Sequence, residues 1–506
     1  MPTSKDPLTP VESALRRRAV RNWMIAAGVI GLLVVLGIVG AKRYAPNRPV
    51  VYQDIIEHFK YGSIGSDIEN GLPLRILQVL PRMFPDYLPA GGPRNYTAFG
   101  FLQEDGRQLP IGFSVRRSYI DLAGLNCAVC HVGEVRASAN DKPQMVLGMP
   151  ANTVDLQAFF EFLFACAADN RFTADHIIAE MEKDGHLFFV DRLVYRMAVP
   201  QLQAGLLKVK SQLEAFMLPA HPKFGPGRVD TFNPYKVNQY SEHYPPGSLA
   251  AEERIGTVDF PAIWNQRPRE GLNLHWDGNN SSVRERNFSA AFGAGATPKG
   301  VDSAAFDRVT VWLADLPPPR YPYGISSDRN VLARGEALYQ ERCHACHAFG
   351  GKLIGQVDPI DSIRTDRHRL DSYTEKLAKI QLQYGEGYDW KFTHFRKTNG
   401  YANLPLDGIW ARAPYLHNGS VPTLWDLLTP EEQRNGGRDF FYRGHTVYDR
   451  EKVGFRTDIE EVDGRKSFRF VISEPGNGNR GHSGARYGTD LSDEDKRALI
   501  EYMKTL

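Results

Sequence analysis

The chain has 506 residues, 42% of them hydrophobic and 24% charged, and its 61 Lys and Arg against 59 Asp and Glu leave a net charge of +2. That balance excludes an electrostatic nucleic-acid binder, which needs a large cationic excess to neutralise phosphates, and the composition excludes disordered and fibrous architectures. With 46 glycines and 33 prolines the chain is expected to be rich in loops, and its length suggests two to three domains.

Residues 1–50 stand apart. Positions 24–41, MIAAGVIGLLVVLGIVGA, are 18 uncharged residues that would span roughly 27 Å as a helix, enough to cross a bilayer. Arg16, Arg17, Arg18 and Arg21 precede the run while Lys42, Arg43 and Arg48 follow it. The charge bias predicts a cytoplasmic N-terminus with the bulk of the chain in the periplasm, held to a bacterial inner membrane by one transmembrane helix. A cleaved signal segment, leaving a secreted or periplasmic protein, is the alternative.

Residues 51–318 form the expected N-terminal domain. Its first chemical signal is Cys127-Ala128-Val129-Cys130-His131, and the same spacing returns as Cys343-His344-Ala345-Cys346-His347. In a chain with five cysteines and 14 histidines, chance supplies on the order of 0.001 such strings. The spacing has a chemical reason: two thiols add to the two vinyl groups of a haem, and the adjacent histidine is then held under the iron. A disulfide pair gives no reason for the histidine, a zinc site lacks nearby ligands, and a thioredoxin-like pair lacks a βαβ setting. Two covalent haem c groups are therefore predicted, with His131 and His347 as proximal ligands. Haem is attached covalently outside the cytoplasm, which agrees with the predicted topology. The fifth cysteine, Cys166, lies in the apolar run FFEFLFACAA and reads as a small buried residue. Residues 155–217 read as helices.

Residues 317–324, PPPRYPYG, carry four prolines and predict an extended linker. Residues 325–506 follow as the C-terminal domain. Asp328 caps a predicted helix that runs into the second Cys-x-x-Cys-His string, with Gly335 and Tyr339 on it. Ser492 and Asp495 open a closing helix with Leu499 and Met503 on one face. Between them Asp463-Gly464 followed by the alternating KSFRFVI predicts a β-hairpin. The two helices resemble those of the class I cytochrome c fold, in which a glycine and an aromatic let the last helix cross the first closely. The expected fold is mostly α: two cytochrome c-like haem domains with long loops and a small β-hairpin, behind one transmembrane helix.

The sixth ligands follow from counting. Of nine methionines only Met503 lies in the C-terminal half, inside the closing helix, so methionine ligation of the second haem is improbable. The loop before that helix contains His482, which is the expected partner of His347; His417 is the rival, with His445 and His394 behind it. At the first haem, Met145 and Met149 lie within reach, and a free position is the alternative, as dioxygen or peroxide chemistry requires.

Several segments carry a family resemblance. PAIWN and LNLHWDGNNSSVRERNFSAAFG resemble the Phe-Trp-Asp-Gly-Arg region of bacterial di-haem cytochrome c peroxidases and the related methylamine-utilisation di-haem enzyme, and RAPYLHNGSVPTL resembles a stretch of their second domain. FKYGSIGSDIENGLP, LNCAVCHVG, GPGRVDTFNPYK and the C-terminal YGTDLSDEDKRALIEYMKTL resemble the rubber-oxygenase-like di-haem cytochromes. The resemblance implies that Trp276 bridges the haems as an electron carrier, that Arg228 and Arg412 pair with haem propionates, and that His482 ligates the second iron. It also implies oxygenase or oxidase chemistry at the N-terminal haem, on a small-molecule or polymer substrate, and electron transfer through the C-terminal one. A purely electron-carrying protein serving a membrane or periplasmic redox partner, and a peroxidase, are the alternatives. Some relatives hold a calcium ion between domains, although no residue pattern here names its ligands. One departure counts against a peroxidase: where the peroxidases place an acid–base glutamate, this sequence has Gly300.

Overall fold

The computed structural model describes residues 9–44, 47–216 and 221–506. Helix accounts for 42% of the protein, and the strands are two to five residues long, gathered in one four-stranded and six two-stranded sheets among the described residues. The mostly α expectation with a single hairpin is corrected accordingly: short helices alternate with small antiparallel sheets.

The expected transmembrane helix is also corrected. A helix does run Pro10–Tyr44, but it takes in the four arginines as well as the apolar run. The side chains at 38–44 lie outside the described residues, and no described helix is long and apolar enough to cross a membrane. The expected inner-membrane attachment loses its support with it.

Helices Leu156–Ala168, Ala174–Glu182 and Phe189–Phe216 occupy the predicted helical region. Asp155 and Thr173 cap the first two by accepting from Ala158 N and His176 N. They enclose the largest apolar cluster, in which Phe159 packs edge to face with Phe99 and Phe101, Phe162 does so with Tyr96, and Cys166 is wholly buried.

Helix Arg329–Arg342, capped by Asp328, leads into the short helix His344–His347. It crosses the closing helix Asp493–Met503, capped by Ser492. A Cβ on Gly335 would stand 2.0 Å from the Ala498 carbonyl oxygen, so only glycine permits this crossing. Tyr339 and Tyr502 meet beside it with ring centres 5.3 Å apart.

The Asp463-Gly464 turn is present, both residues having positive φ as a two-residue hairpin requires. Phe468–Val471, however, pairs with Phe440–Arg443 rather than folding back on its own neighbour. The proline-rich segment is extended and fastened to the C-terminal half: Tyr321 donates to Arg450 O at 3.0 Å, and Trp410 Nε1 donates to Pro319 O at 2.7 Å. Two further cores draw on both sides of it. One joins Val135, Met149 and Trp264 to Leu338, Tyr415 and Leu499; the other joins Phe288 and Phe292 to Trp390 and Phe395.

Candidate functional site

The first Cys-x-x-Cys-His string begins in a tight turn over Cys127–Val129. Asn126, buried, accepts from Ala128 N at 3.0 Å and donates to the carbonyls of Lys60 and Gly62, tying the turn to helix Ile55–Tyr61. His131 donates from Nδ1 to the Pro261 carbonyl at 2.9 Å. The second string grows from the end of helix Arg329–Arg342, and His347 donates from Nδ1 to the Leu404 carbonyl at 2.8 Å. Both proximal candidates thus carry the proton on Nδ1 and leave Nε2 free, the arrangement that orients a metal-binding imidazole. All four cysteines of the two strings are free thiols rather than disulfides.

His482 faces the second string. Its ring centre lies 6.3 Å from that of His347. An imidazole nitrogen binds a first-row metal ion at about 2.0 Å and sits about 1.2 Å from its ring centre, so two rings sharing one ion stand about 6.4 Å apart. The spacing fits an iron held between them. Nδ1 of His482 is buried without a hydrogen-bond partner. Burial, then the neighbouring His347, push His482 down to about 3, so it is neutral and able to ligate. Its backbone is pinned by His482 N donating to Ile363 O at 2.8 Å and by Arg434 donating to His482 O at 2.9 Å. Gly481 is needed before it, since a Cβ there would come within 2.4 Å of the 363–365 backbone.

The rivals of His482 are engaged elsewhere. Nε2 of His417 is hydrogen-bonded to the Tyr401 hydroxyl at 2.9 Å, with the two rings stacked 4.1 Å apart. His445 uses both ring nitrogens on the backbone of Arg456 and Val447, and His394 donates to Glu285 at 2.7 Å. Met149 is wholly buried with its sulfur against Gly133, and Met145 packs in the cluster that contains Cys127.

Trp276 stands between the two anchoring segments. Its Nε1 donates to the Asp259 carbonyl at 3.0 Å, two residues before the Pro261 that holds His131. Its own carbonyl accepts from Ala402 N at 2.9 Å, two residues before the Leu404 that holds His347. The indole packs against Ile360, Leu370 and Tyr401.

The two predicted arginines each belong to a buried pair that shares one carboxylate. Arg228 lies 3.8 Å from Asp259, whose other partner is Arg443 at 3.0 Å. Arg412 lies 2.6 Å from Asp407, which also takes Arg269. The Asp407 cluster, two arginines on one carboxylate, therefore carries an excess positive charge out of water. Burial pushes Arg228 down to about 9 and Arg412 to about 10, and the Nε of both lacks a partner. Arg412 is within electrostatic range of His347, whereas Arg228 sits in the network with Asp259 and Asp366. Among the described residues no group of three or more His, Cys, Asp or Glu could hold a calcium ion. Arg269, Arg443, Asp259 and Asp407 escaped the sequence reading, because nothing local marks a charge whose partner lies far along the chain.

Free paired thiols, histidines with Nδ1 fixed, a facing imidazole at iron spacing and surplus buried cations all fit haem c. Residues 400–436, which include Leu404, Asp407, Arg412 and Arg434, match the family described as RoxA-like, cytochrome c-like. That match supports a haem c cytochrome with a redox role. Two proteins of Sinorhizobium fredii are similar to it, both described as uncharacterized. One, y4iJ, is 26% identical over 81% of this chain and 84% of its own length. The other, y4iM, is 30% identical over 49% of this chain and 64% of its own length.

Proposed function

We propose that the protein carries two haem c groups with divided roles, one for each Cys-x-x-Cys-His string. His347 and His482 would hold the second, in the unit 325–506, for electron transfer. His131 would hold the first, in the unit 51–318, for an oxidase or oxygenase reaction. Haem supplies one-electron transfer and, where a coordination position is free, a place for a small molecule. The chain's own residues do the rest. The carbonyls of Pro261 and Leu404 fix the tautomer and direction of the two proximal imidazoles. Trp276 connects the two anchoring segments as the electron bridge, and Arg412 offers positive charge beside the second haem. Electrons would come from a redox partner, and the substrate is a small molecule or an apolar polymer.

The observation that carries this reading is the 6.3 Å separation of His347 and His482. An iron with two imidazoles is saturated and suited to electron transfer, so substrate chemistry falls to the other site. Changing His482→Ala should turn the second haem from low-spin to high-spin in the EPR spectrum of the oxidised protein. A low-spin signal that survives the change would remove His482 from the ligand set.

A further inference from the structure

His347 and His482 face each other but are held in opposite ways. The ring of His347 is anchored by its own Nδ1, which donates to the Leu404 carbonyl at 2.8 Å. Nδ1 of His482 is buried with no acceptor, and its ring meets that of Tyr487 with centres 4.4 Å apart. An imidazole that offers Nε2 to a metal carries its proton on Nδ1 and is normally oriented by the acceptor found there. His482 has no such anchor, so the direction of its ring is set through its backbone.

That backbone is strained. His482 sits at φ 45°, in the left-handed region, directly after Gly481 at φ 76°. A residue other than glycine stays there only where its surroundings over-determine it. Two side chains from the segment 431–434 do so. Arg434, only 1% exposed, donates from Nη2 to His482 O at 2.9 Å, from Nη1 to Asn479 O, and from Nε to Thr429 O at 3.3 Å. Glu431 accepts from Gly481 N at 2.6 Å through Oε2. Among the described residues Arg434 forms no ion pair; its three guanidinium nitrogens all donate to carbonyls. Burying a guanidinium without a carboxylate is costly, so the placement is explained by the loop it fixes rather than by stability.

We propose that Arg434, with Glu431 beside it, is the positioning residue that keeps His482 in place as a ligand of the second haem. The proposal rests on the reading that His482 closes that haem. Arg434 does not touch the His482 ring; it acts through the carbonyls at the two ends of the 479–482 turn. Without its donors the left-handed residue relaxes, the unanchored ring swings away, and the second haem opens to small ligands.

The test uses the full, haem-loaded chain and counts the haems per chain that bind cyanide, by optical titration and EPR. Arg434→Met keeps the length and removes the donors, Arg434→Lys keeps the charge on a single nitrogen, and Glu431→Ala frees Gly481 N. His482→Ala is the reference, and cooperative unfolding in denaturant certifies the fold of each variant. His482→Ala should bind one cyanide more per chain than the unaltered protein. Arg434→Met should gain the same site, with cyanide affinity at the second haem raised at least about tenfold, the effect of losing one hydrogen bond from a charged donor. Glu431→Ala should gain part of that affinity, and Arg434→Lys should return part of the way to the unaltered protein. An arginine that only stabilises the fold would lower the unfolding midpoint and add no cyanide-binding haem. If His482→Ala gains the site and Arg434→Met does not, the role of Arg434 is overturned and the ligand reading stands. If His482→Ala gains nothing, the ligand reading falls and the proposal with it. Should Arg434→Met fail to fold, Arg434→Lys and Glu431→Ala decide, and cyanide binding unchanged in both would overturn the proposal.

Discussion

A covalent haem demands three residues within five positions, and that demand is why Cys127 to His131 and Cys343 to His347 are legible as strings. The residue across the iron has no such local constraint. His482 can be approached from sequence only by elimination, because the C-terminal half holds one methionine and that one is inside a helix. The structure adds what elimination lacks: a ring facing His347 at 6.3 Å, while His417, His445 and His394 are committed to other hydrogen bonds. Trp276 tests the connection between the sites. If it bridges the haems, Trp276→Phe removes the hydrogen bond to Asp259 O and the indole while keeping a ring. Electron transfer between the haems should then slow several-fold after rapid reduction, with both haem spectra unchanged. An unaltered rate would reduce Trp276 to packing.

Elements were legible where a pattern runs long enough to declare its period. The helices between 156 and 216, helix Arg329–Arg342 and helix Asp493–Met503 all exceed two turns, and caps mark most of their starts. Strands of two to five residues show no alternation that a sequence window can separate from loop, which is why seven small sheets came as a correction. The N-terminal run failed differently: composition alone promised a membrane span that no described helix supplies. The contact at Gly335 gives this scale its prediction. Placing a side chain where the Ala498 carbonyl stands should force the two C-terminal helices apart, so Gly335→Val should cost about 3 kcal/mol in denaturant unfolding. A change below about 0.5 kcal/mol would mean that the crossing is loose.

Across the whole molecule the two haem strings lie far apart in sequence and are drawn together by shared scaffolding. The proline-rich segment is hydrogen-bonded to the C-terminal half, and two apolar cores mix residues from both sides of it. Trp276 and its neighbours join the segments that hold His131 and His347 through four hydrogen bonds. On the proposed two-haem reading such a frame keeps the distance between the redox centres fixed, which electron transfer requires and which no stretch of sequence reveals. The surplus of buried arginines over carboxylate at Asp407 is equally a property of the assembled fold.

The proposed division of roles requires one closed haem and one open one. Its most direct test is a low-temperature EPR spectrum of the purified, oxidised, full-length protein, repeated after adding cyanide. A closed second haem beside an open first one gives one low-spin signal that cyanide leaves alone and one high-spin ferric signal that cyanide converts to low-spin. Two low-spin signals that ignore cyanide, in the oxidised and in the half-reduced protein, would contradict it and leave a carrier of electrons with no site for a substrate.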